Sequence, residues 1–283
     1  MPAGRVKEIA RAKGATAAGI AGPGELAEFS RFSLAVSAYP QGLSYLKRSG
    51  LKRHSIKNWN LDAASVLVCA FRYWEPGMDY EAALKAVGDP AALLAGSGRK
   101  INQPGLLSVP GSKISRYALS RDYHLVVKEK LSSMLAGIKA ELPGTEGLIF
   151  CDTSPVMEKE LGRLAGLGYR GRNTLLMSGE LGSYFFIGGI ALDIELRPDR
   201  PAEGSCGACR LCEAACPTGA LAGGAMDAGR CLSYWTTQSK EKMPPEIAAN
   251  SAGFAYGCDI CQEACPLNKV PGAIAPGFEP IKI

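Results

Sequence analysis

The sequence lacks any run of eighteen apolar residues, so no segment is long enough to cross a bilayer as a helix. Its most apolar stretch, Tyr184 to Leu192, is short, carries two glycines and reads as a buried strand. The opening MPAGRVKEIARAKG has no apolar core ahead of a cleavage site and reads as the start of a helix. A cytoplasmic location without a membrane partner is expected. No G-x-G-x-x-G lies between a strand and a helix, and there is no P-loop, so the usual phosphate cradles of dinucleotides and nucleoside triphosphates are missing. Histidine is scarce, with only His54 and His124.

What is present suits a folded chain with a real core: 47% hydrophobic and 21% charged residues over 283 positions, enough for a large domain and a small one. The net charge of +5 is mild but uneven. Lys47, Arg48, Lys52, Arg53, His54 and Lys57 fall within eleven residues, and Arg163, Arg170 and Arg172 form a second group. Each group reads either as a solvated face or as a surface that collects a polyanion through its phosphates.

Periodicity gives helix over Arg5 to Gly19 leading into a strand, and helix over Leu26 to Leu46 broken at Pro40-Gln41-Gly42. It gives strand at Ser65 to Phe71, loop with a short helix at Gly88 to Pro110, and helix at Ser120 to Glu141. Strand follows at Leu148 to Cys151, helix at Val156 to Leu167, and a strand pair or long strand at Ser183 to Glu195. Strands alternating with helices predict an α/β layered domain over residues 1–198. From about Arg197 proline, glycine and cysteine dominate, and residues 199–283 are expected to form a second, small domain.

Eight of the ten cysteines lie in that second segment. Cys206-Gly-Ala-Cys209-Arg-Leu-Cys212-Glu-Ala-Ala-Cys216-Pro217 is the C-x2-C-x2-C-x3-C-P run of bacterial ferredoxins. A second set, Cys231 and then Cys258-Asp-Ile-Cys261-Gln-Glu-Ala-Cys265-Pro266, repeats the device with its first cysteine displaced upstream. In such runs the fourth cysteine ligates the other cluster. One 4Fe–4S cluster is thus assigned to Cys206, Cys209, Cys212 and Cys265, the other to Cys216, Cys231, Cys258 and Cys261. Zinc favours locally closed pairs of C-x2-C, which fits two C-x3-C-P endings poorly, and disulfides suit a secreted chain. Cys69 and Cys151 stand apart beside apolar runs and read as buried free thiols.

Two clusters make a wire, and a redox site in the first 200 residues is its natural endpoint. Asp122-Tyr123-His124 begins like the D-x-H-x-x-G motif that offers an axial imidazole to cobalamin, but position 127 is Val and the motif is not met. Either histidine alone reads as a structural hydrogen-bond partner. Asp152 follows the strand GLIFC and precedes Thr-Ser-Pro, which makes it a site carboxylate at a strand end or, with Ser154, a helix N-cap. Asp122 reads either as a site residue or as an ordinary helix start.

These segments resemble the epoxyqueuosine reductase family through SRYALSRDYH (115–124), CDTSPVMEKELGRLAGLGYRGRNTLL (151–176), GSYFFIGGIALDIEL (182–196) and the whole cysteine segment. The resemblance implies an α+β, nitroreductase-like cobalamin domain followed by a ferredoxin-like double-cluster domain. It implies cobalamin bound without a histidine below cobalt, electrons from the clusters and an external donor, and removal of the epoxide oxygen of epoxyqueuosine in a tRNA anticodon loop. Asp152 corresponds to the family's general acid, with a raised pKa suited to donating a proton, and Asp122 is the second catalytic candidate. Tyr123, His124, Ser154, Arg172, Asn173 and Thr174 are expected in the cobalamin pocket. The family's G-W-x-G-K-N-T stands here as Gly168-Tyr169-Arg170-Gly171-Arg172-Asn173-Thr174. Many members carry further C-terminal helical repeats that help hold tRNA, and the sequence reads as a short member without them. An electron carrier that binds no cobalamin, and a dehalogenase-like reductase of a small molecule, are the alternatives.

Overall fold

The structure is a computed structural model and describes residues 3–281. Its centre is a four-stranded sheet. Helix α1 (Ala3–Ala12) runs into strand β1 (Ala17–Ala21), and helix α2 (Phe29–Ser37) follows. Then come strand β2 (Ser65–Arg72), helix α3 (Tyr123–Glu141), strand β3 (Gly147–Phe150), helix α4 (Glu158–Leu164) and strand β4 (Phe185–Leu192). The strand order is β1-β2-β4-β3, and every neighbouring pair is antiparallel. The α/β content is as expected, while the alternation of strands and helices does not produce parallel pairing.

All eight residues of β2 are buried, because both faces of the sheet are covered. The two-residue period of a strand sends Leu67, Cys69 and Phe71 to one face and Val66, Val68 and Ala70 to the other. The first face packs on Val6, Ile9 and Ala10 of α1 and on Val127, Leu131, Met134 and Ile138 of α3. The second packs on Leu161 of α4. A Cβ at Gly19 would collide with the Ala165 carbonyl, so glycine there lets β1 lie against the end of α4. Cys69 and Cys151 are both buried and unbridged.

The stretch 88–110 holds two short helices, Pro90–Gly96 and Pro104–Leu107. Asp89 accepts a hydrogen bond from the Ala91 amide and Pro90 occupies the first turn, a start signal that a glycine- and alanine-rich texture obscures. The run 183–195 is one strand rather than a pair.

The cysteine segment has its own apolar cluster, in which Leu232, Trp235, Met243, Ile247 and Phe254 pack with Leu43 from the first half of the chain. Lys113–Ile114 pairs in parallel with Phe254–Tyr256. Beyond the last cysteine the chain returns: Arg72 donates to the Val270 carbonyl at 2.9 Å, and Ala275 and Phe278 are buried in the large core. The two segments interlock, and the space between them is the main cavity.

Candidate active site and cluster ligands

The carboxyl end of β3 leads directly into Asp152. Its backbone is left-handed (φ 53°), and the cap position of α4 is Met157, so Asp152 does not serve as that helix's N-cap. Asp122 does cap a helix: it accepts from the His124 amide at 3.0 Å and starts α3. That cap fixes His124 on the first turn, with its ring between two carboxylates. Nδ1 lies 2.8 Å from Asp122 Oδ1 and Nε2 lies 3.0 Å from Asp152 Oδ2. Tyr123 stacks on the His124 ring (centroids 4.0 Å apart) and lies nearly parallel to Phe186 (4.4 Å, 7°), which holds both rings still.

These contacts set the charges. The hydrogen bond to Asp152 raises the His124 pKa, burial opposes it, and Asp122 raises it further. Burial pushes the Asp152 carboxyl up, but the hydrogen bond and charge of His124 and the Tyr123 hydroxyl outweigh that and hold it below its ordinary value. The Asp152 shift thus runs downward rather than in the raised direction expected, with His124 the partner that favours its anion. Of the carboxyls in contact with Asp152, the one that rises is Glu158, pushed up to about 8 by burial and then by the Asp152 charge. Glu158 Oε1 accepts a hydrogen bond from the Asp152 amide, pinning the strained residue from its backbone side. Arg53 is buried beside them and donates to the Val156 carbonyl at 2.8 Å, so it leaves the basic run for an internal post.

A cavity of about 600 Å³ opens in front of this group. Its near wall is Asp152, Glu158, Tyr123, Phe186, Asn173 and Thr174, and its far wall includes Cys216, Cys231, Cys258 and Cys261. Of the residues expected in the pocket, Tyr123, Asn173 and Thr174 line it. His124 and Asp122 stand behind Asp152, and Ser154 does not reach the lining. Arg172 faces the other way: its amide lies 3.4 Å from Cys206 Sγ and its guanidinium donates to the Gly207 carbonyl at 3.0 Å. Arg170 lies on the short strand Tyr169–Arg170, whereas Arg172 sits in the turn beyond the strand's end, where it reaches the cysteine run instead. Glu158, Lys159, Tyr45 and Tyr73 also line the cavity and escaped the sequence reading. Glu158 in VMEKEL looks like any acid in a helix's first turn.

None of the cysteines is bridged. Burial raises the Cys265 thiol, and the neighbouring sulfurs that raise it further are Cys206 and Cys209, not those nearer in its own run. Burial likewise raises Cys258, pushed up to about 12, and its sulfur neighbours are Cys231 and Cys216. Cys261 is raised by burial, then by Cys258 and Cys231, and least by Cys212 of the other set. Sulfur neighbours thus cross between the two runs, Cys265 lying near Cys206 and Cys209 and Cys216 near Cys231 and Cys258. Unbridged thiols gathered in fours are the donor set a 4Fe–4S cluster takes.

His54 has no part in the site; it stacks on Phe29 and lies 3.8 Å from Glu25. No helix among the described residues is long and apolar enough to cross a membrane.

The fold and these thiols define a class, an iron–sulfur protein with two clusters joined to a larger α/β domain. Residues 205–268 match the 4Fe-4S double cluster binding domain, and residues 53–153 match the epoxyqueuosine reductase QueG domain of the DUF1730 type. The epoxyqueuosine reductase of Synechocystis sp. is 35% identical over 220 residues, covering 77% of this chain and 67% of that protein. The enzyme of Leadbetterella byssophila is 42% identical over 156 residues, 55% of this chain and 52% of its own. A crystal structure of epoxyqueuosine reductase with an epoxyqueuosine-modified tRNA-Tyr stem loop superposes with a TM-score of 0.73 at 25% identity, covering 98% of this chain and 68% of that one. The chain belongs to the epoxyqueuosine reductase family. It aligns over about half the length of several of the curated relatives it matches.

Proposed function

We propose that this chain is a reductase that takes cobalamin in the main cavity, receives electrons through two 4Fe–4S clusters from an external donor, and deoxygenates epoxyqueuosine in a tRNA anticodon loop. The observation that carries the reading is the cavity itself, lined both by Asp152, which His124 backs at 3.0 Å, and by the thiols of one cluster set. Cys206, Cys209, Cys212 and Cys265 hold the outer cluster; Cys216, Cys231, Cys258 and Cys261 hold the one next to the cavity. The chain divides at about residue 198, with its last described residues returning to the first unit.

The lining fits a corrinoid. It is largely apolar, with Leu43, Phe186, Ile187, Leu221, Leu232 and Ile260, and it includes Ser115, Asn173, Thr174 and Gln262 for ring amides. No histidine is among the described lining residues. When bound, clusters and corrinoid supply the two electrons that loss of an epoxide oxygen requires.

The protein's own part is proton delivery and positioning. Opening an epoxide places charge on an oxygen that leaves poorly as an alkoxide, so a proton must reach it. The Asp152–His124 pair holds one proton at the cavity wall, and Asp152 is the member that lines the cavity. Loss of the oxygen as water takes two protons with the two electrons: the first passes through Asp152 and leaves His124 neutral, and solvent restores the pair and supplies the second. Tyr123 and Phe186 hold the imidazole in plane, and Glu158 holds the Asp152 backbone. Lys47, Arg48, Lys52 and Lys57 are exposed on the segment whose Tyr45 reaches the cavity, which places cations for RNA phosphates beside its mouth.

Anaerobically purified protein should contain about eight irons and bind one equivalent of cobalamin with the spectrum of a detached lower ligand. Full iron loading without cobalamin binding would show an electron carrier instead.

A further inference from the structure

The turn that carries Arg172 belongs to the first unit but ends against the cysteine run of the second. It joins the two arms of a short hairpin, in which Tyr169 pairs with Met177 and Arg170 with Leu176. The Gly171 amide donates to the Leu175 carbonyl at 2.9 Å, and the Thr174 amide donates to the Gly171 carbonyl at 3.0 Å. The buried Asn173 side chain accepts from the Leu175 amide at 3.2 Å. A Cβ at Gly171 would stand 2.5 Å from Met177 Cγ, so the close approach needs glycine. Arg172 is thus placed by a rigid turn rather than by its own side chain.

Two side chains here meet the ligands assigned to the outer cluster. The Arg172 amide lies 3.4 Å from Cys206 Sγ, and its guanidinium donates at 3.0 Å to the carbonyl of Gly207, which follows Cys206. Glu213 stands 3.7 Å from the guanidinium but also accepts from the Gly224 amide at 2.9 Å, so it offsets only part of the charge. Arg172 Nε is buried and has no partner among the described residues, which leaves one donor unused beside the ligand loop. Tyr169 packs on Gly204, where a Cβ would stand 2.4 Å from the ring. Burial raises the Tyr169 hydroxyl, and Cys206, Cys265 and Cys209 raise it further. Three of the four outer-cluster ligands therefore lie near one phenol.

Reduction adds a negative charge to a cluster already held by thiolates. A fixed cation and an N–H at a ligand sulfur favour the reduced form, whereas a ring that keeps water away disfavours it. We infer that Arg172 and Tyr169 are positioning residues for the outer cluster, acting through Cys206 and its neighbours to set that cluster's reduction potential in opposite directions. The inference rests on the cluster assignment in the proposed function and not on cobalamin.

The test is a redox titration of anaerobically reconstituted protein without corrinoid, followed by electron paramagnetic resonance. The outer cluster is identified as the one that Cys209→Ser disturbs. Arg172→Gln keeps the backbone N–H and removes the guanidinium. It should change the one-electron equilibrium roughly tenfold, as loss of a charged hydrogen bond does, and so lower the potential by about 59 mV. Arg172→Lys keeps the cation and should recover most of that. Tyr169→Ala should raise the potential, and Tyr169→Phe, which keeps the ring, should hold it near its original value. The inner cluster should keep its potential, with about eight irons in all four variants. Unmoved outer-cluster potentials at full iron, or equal shifts in both clusters, overturn the inference. Loss of about four irons from Arg172→Gln, restored by Arg172→Lys, shows a scaffold alone and overturns it as well. Absence of iron from the unaltered protein, read before any titration, removes the cluster assignment and this inference with it.

Discussion

His124 Nε2 stands 3.0 Å from Asp152 Oδ2, and its other ring nitrogen is 2.8 Å from Asp122. With an aspartate at each nitrogen the cationic imidazole is favoured, and the same contact favours the anion of the aspartate at the cavity wall. The pair is strongest between the depressed pKa of Asp152 and the raised pKa of His124. The Asp152 contribution is lost as pH falls through its folded value, and the His124 contribution is lost as pH rises through its own. With His54→Ala leaving one histidine, proton NMR should show His124 titrating above the ordinary value of about 6.5. Titration at or below that value contradicts the pairing.

Asp152→Asn removes the anion without emptying the space. Both cluster sets and the cavity remain, so iron content and cobalamin affinity should be unchanged while turnover falls by roughly 10²- to 10⁴-fold. Asp122→Ala should act more mildly on turnover, and it should also cost about 1 kcal/mol of stability as a lost helix cap. Undiminished turnover in the Asp152 variant would remove that residue from the chemistry.

Glu158 offers a pH signature of the opposite sign to Asp152. Its pKa is raised to about 8 by burial and by Asp152, so between its unfolded value and about 8 the folded state binds the extra proton. Stability should therefore decline with rising pH across that window, and Glu158→Gln should flatten the decline. The glutamine keeps an acceptor for the Asp152 amide and should retain most activity. Glu158→Ala leaves the left-handed Asp152 unpinned and should lower turnover more than cobalamin binding. Denaturation followed at several pH values, beside kinetics of both variants, reads both effects.

The exchange of fourth cysteines is directly testable. Cys265→Ser and Cys206→Ser should disturb the same cluster, and Cys258→Ser and Cys231→Ser the other. Electron paramagnetic resonance of reduced protein should therefore sort the four variants into two pairs. Sorting by position in sequence, with Cys265 grouped with Cys258, would contradict the arrangement.

Phe278→Ala tests the interlocking of the two units. Phe278 is fully buried against Phe71 and Phe186, with ring centroids 6.1 Å and 5.1 Å away. Its truncation should cost about 3–5 kcal/mol in chemical denaturation. A loss near zero would mean the returning segment contributes nothing to the large core.

Much of this was legible beforehand because local signals were strong. The cysteine spacing alone gave two ligand sets, and the apolar runs at 65–71 and 148–151 became strands with shifts of a residue or so. Asp122 and Asp152 stood out by position. What the sequence could not show depends on long-range placement. The protonation of Asp152 is set by His124, 28 residues away, which reverses the pKa its role suggests. Arg53 looks like one more surface cation until the fold buries it. Arg170 and Arg172 look equivalent until the fold leaves Arg170 on a short strand and Arg172 in the turn beyond it, with its amide against Cys206. The antiparallel pairing of β2 with β4 joins segments more than a hundred residues apart, which local periodicity does not encode.

The most direct test is conversion of the modified nucleoside. Reconstituted protein with cobalamin and a strong low-potential reductant is incubated with an anticodon stem loop carrying epoxyqueuosine, and the digested RNA is examined by mass spectrometry. Loss of one oxygen, dependent on cobalamin and abolished by Asp152→Asn, is the predicted result. Unchanged epoxyqueuosine in the presence of fully loaded, reducible clusters and bound cobalamin would contradict the account.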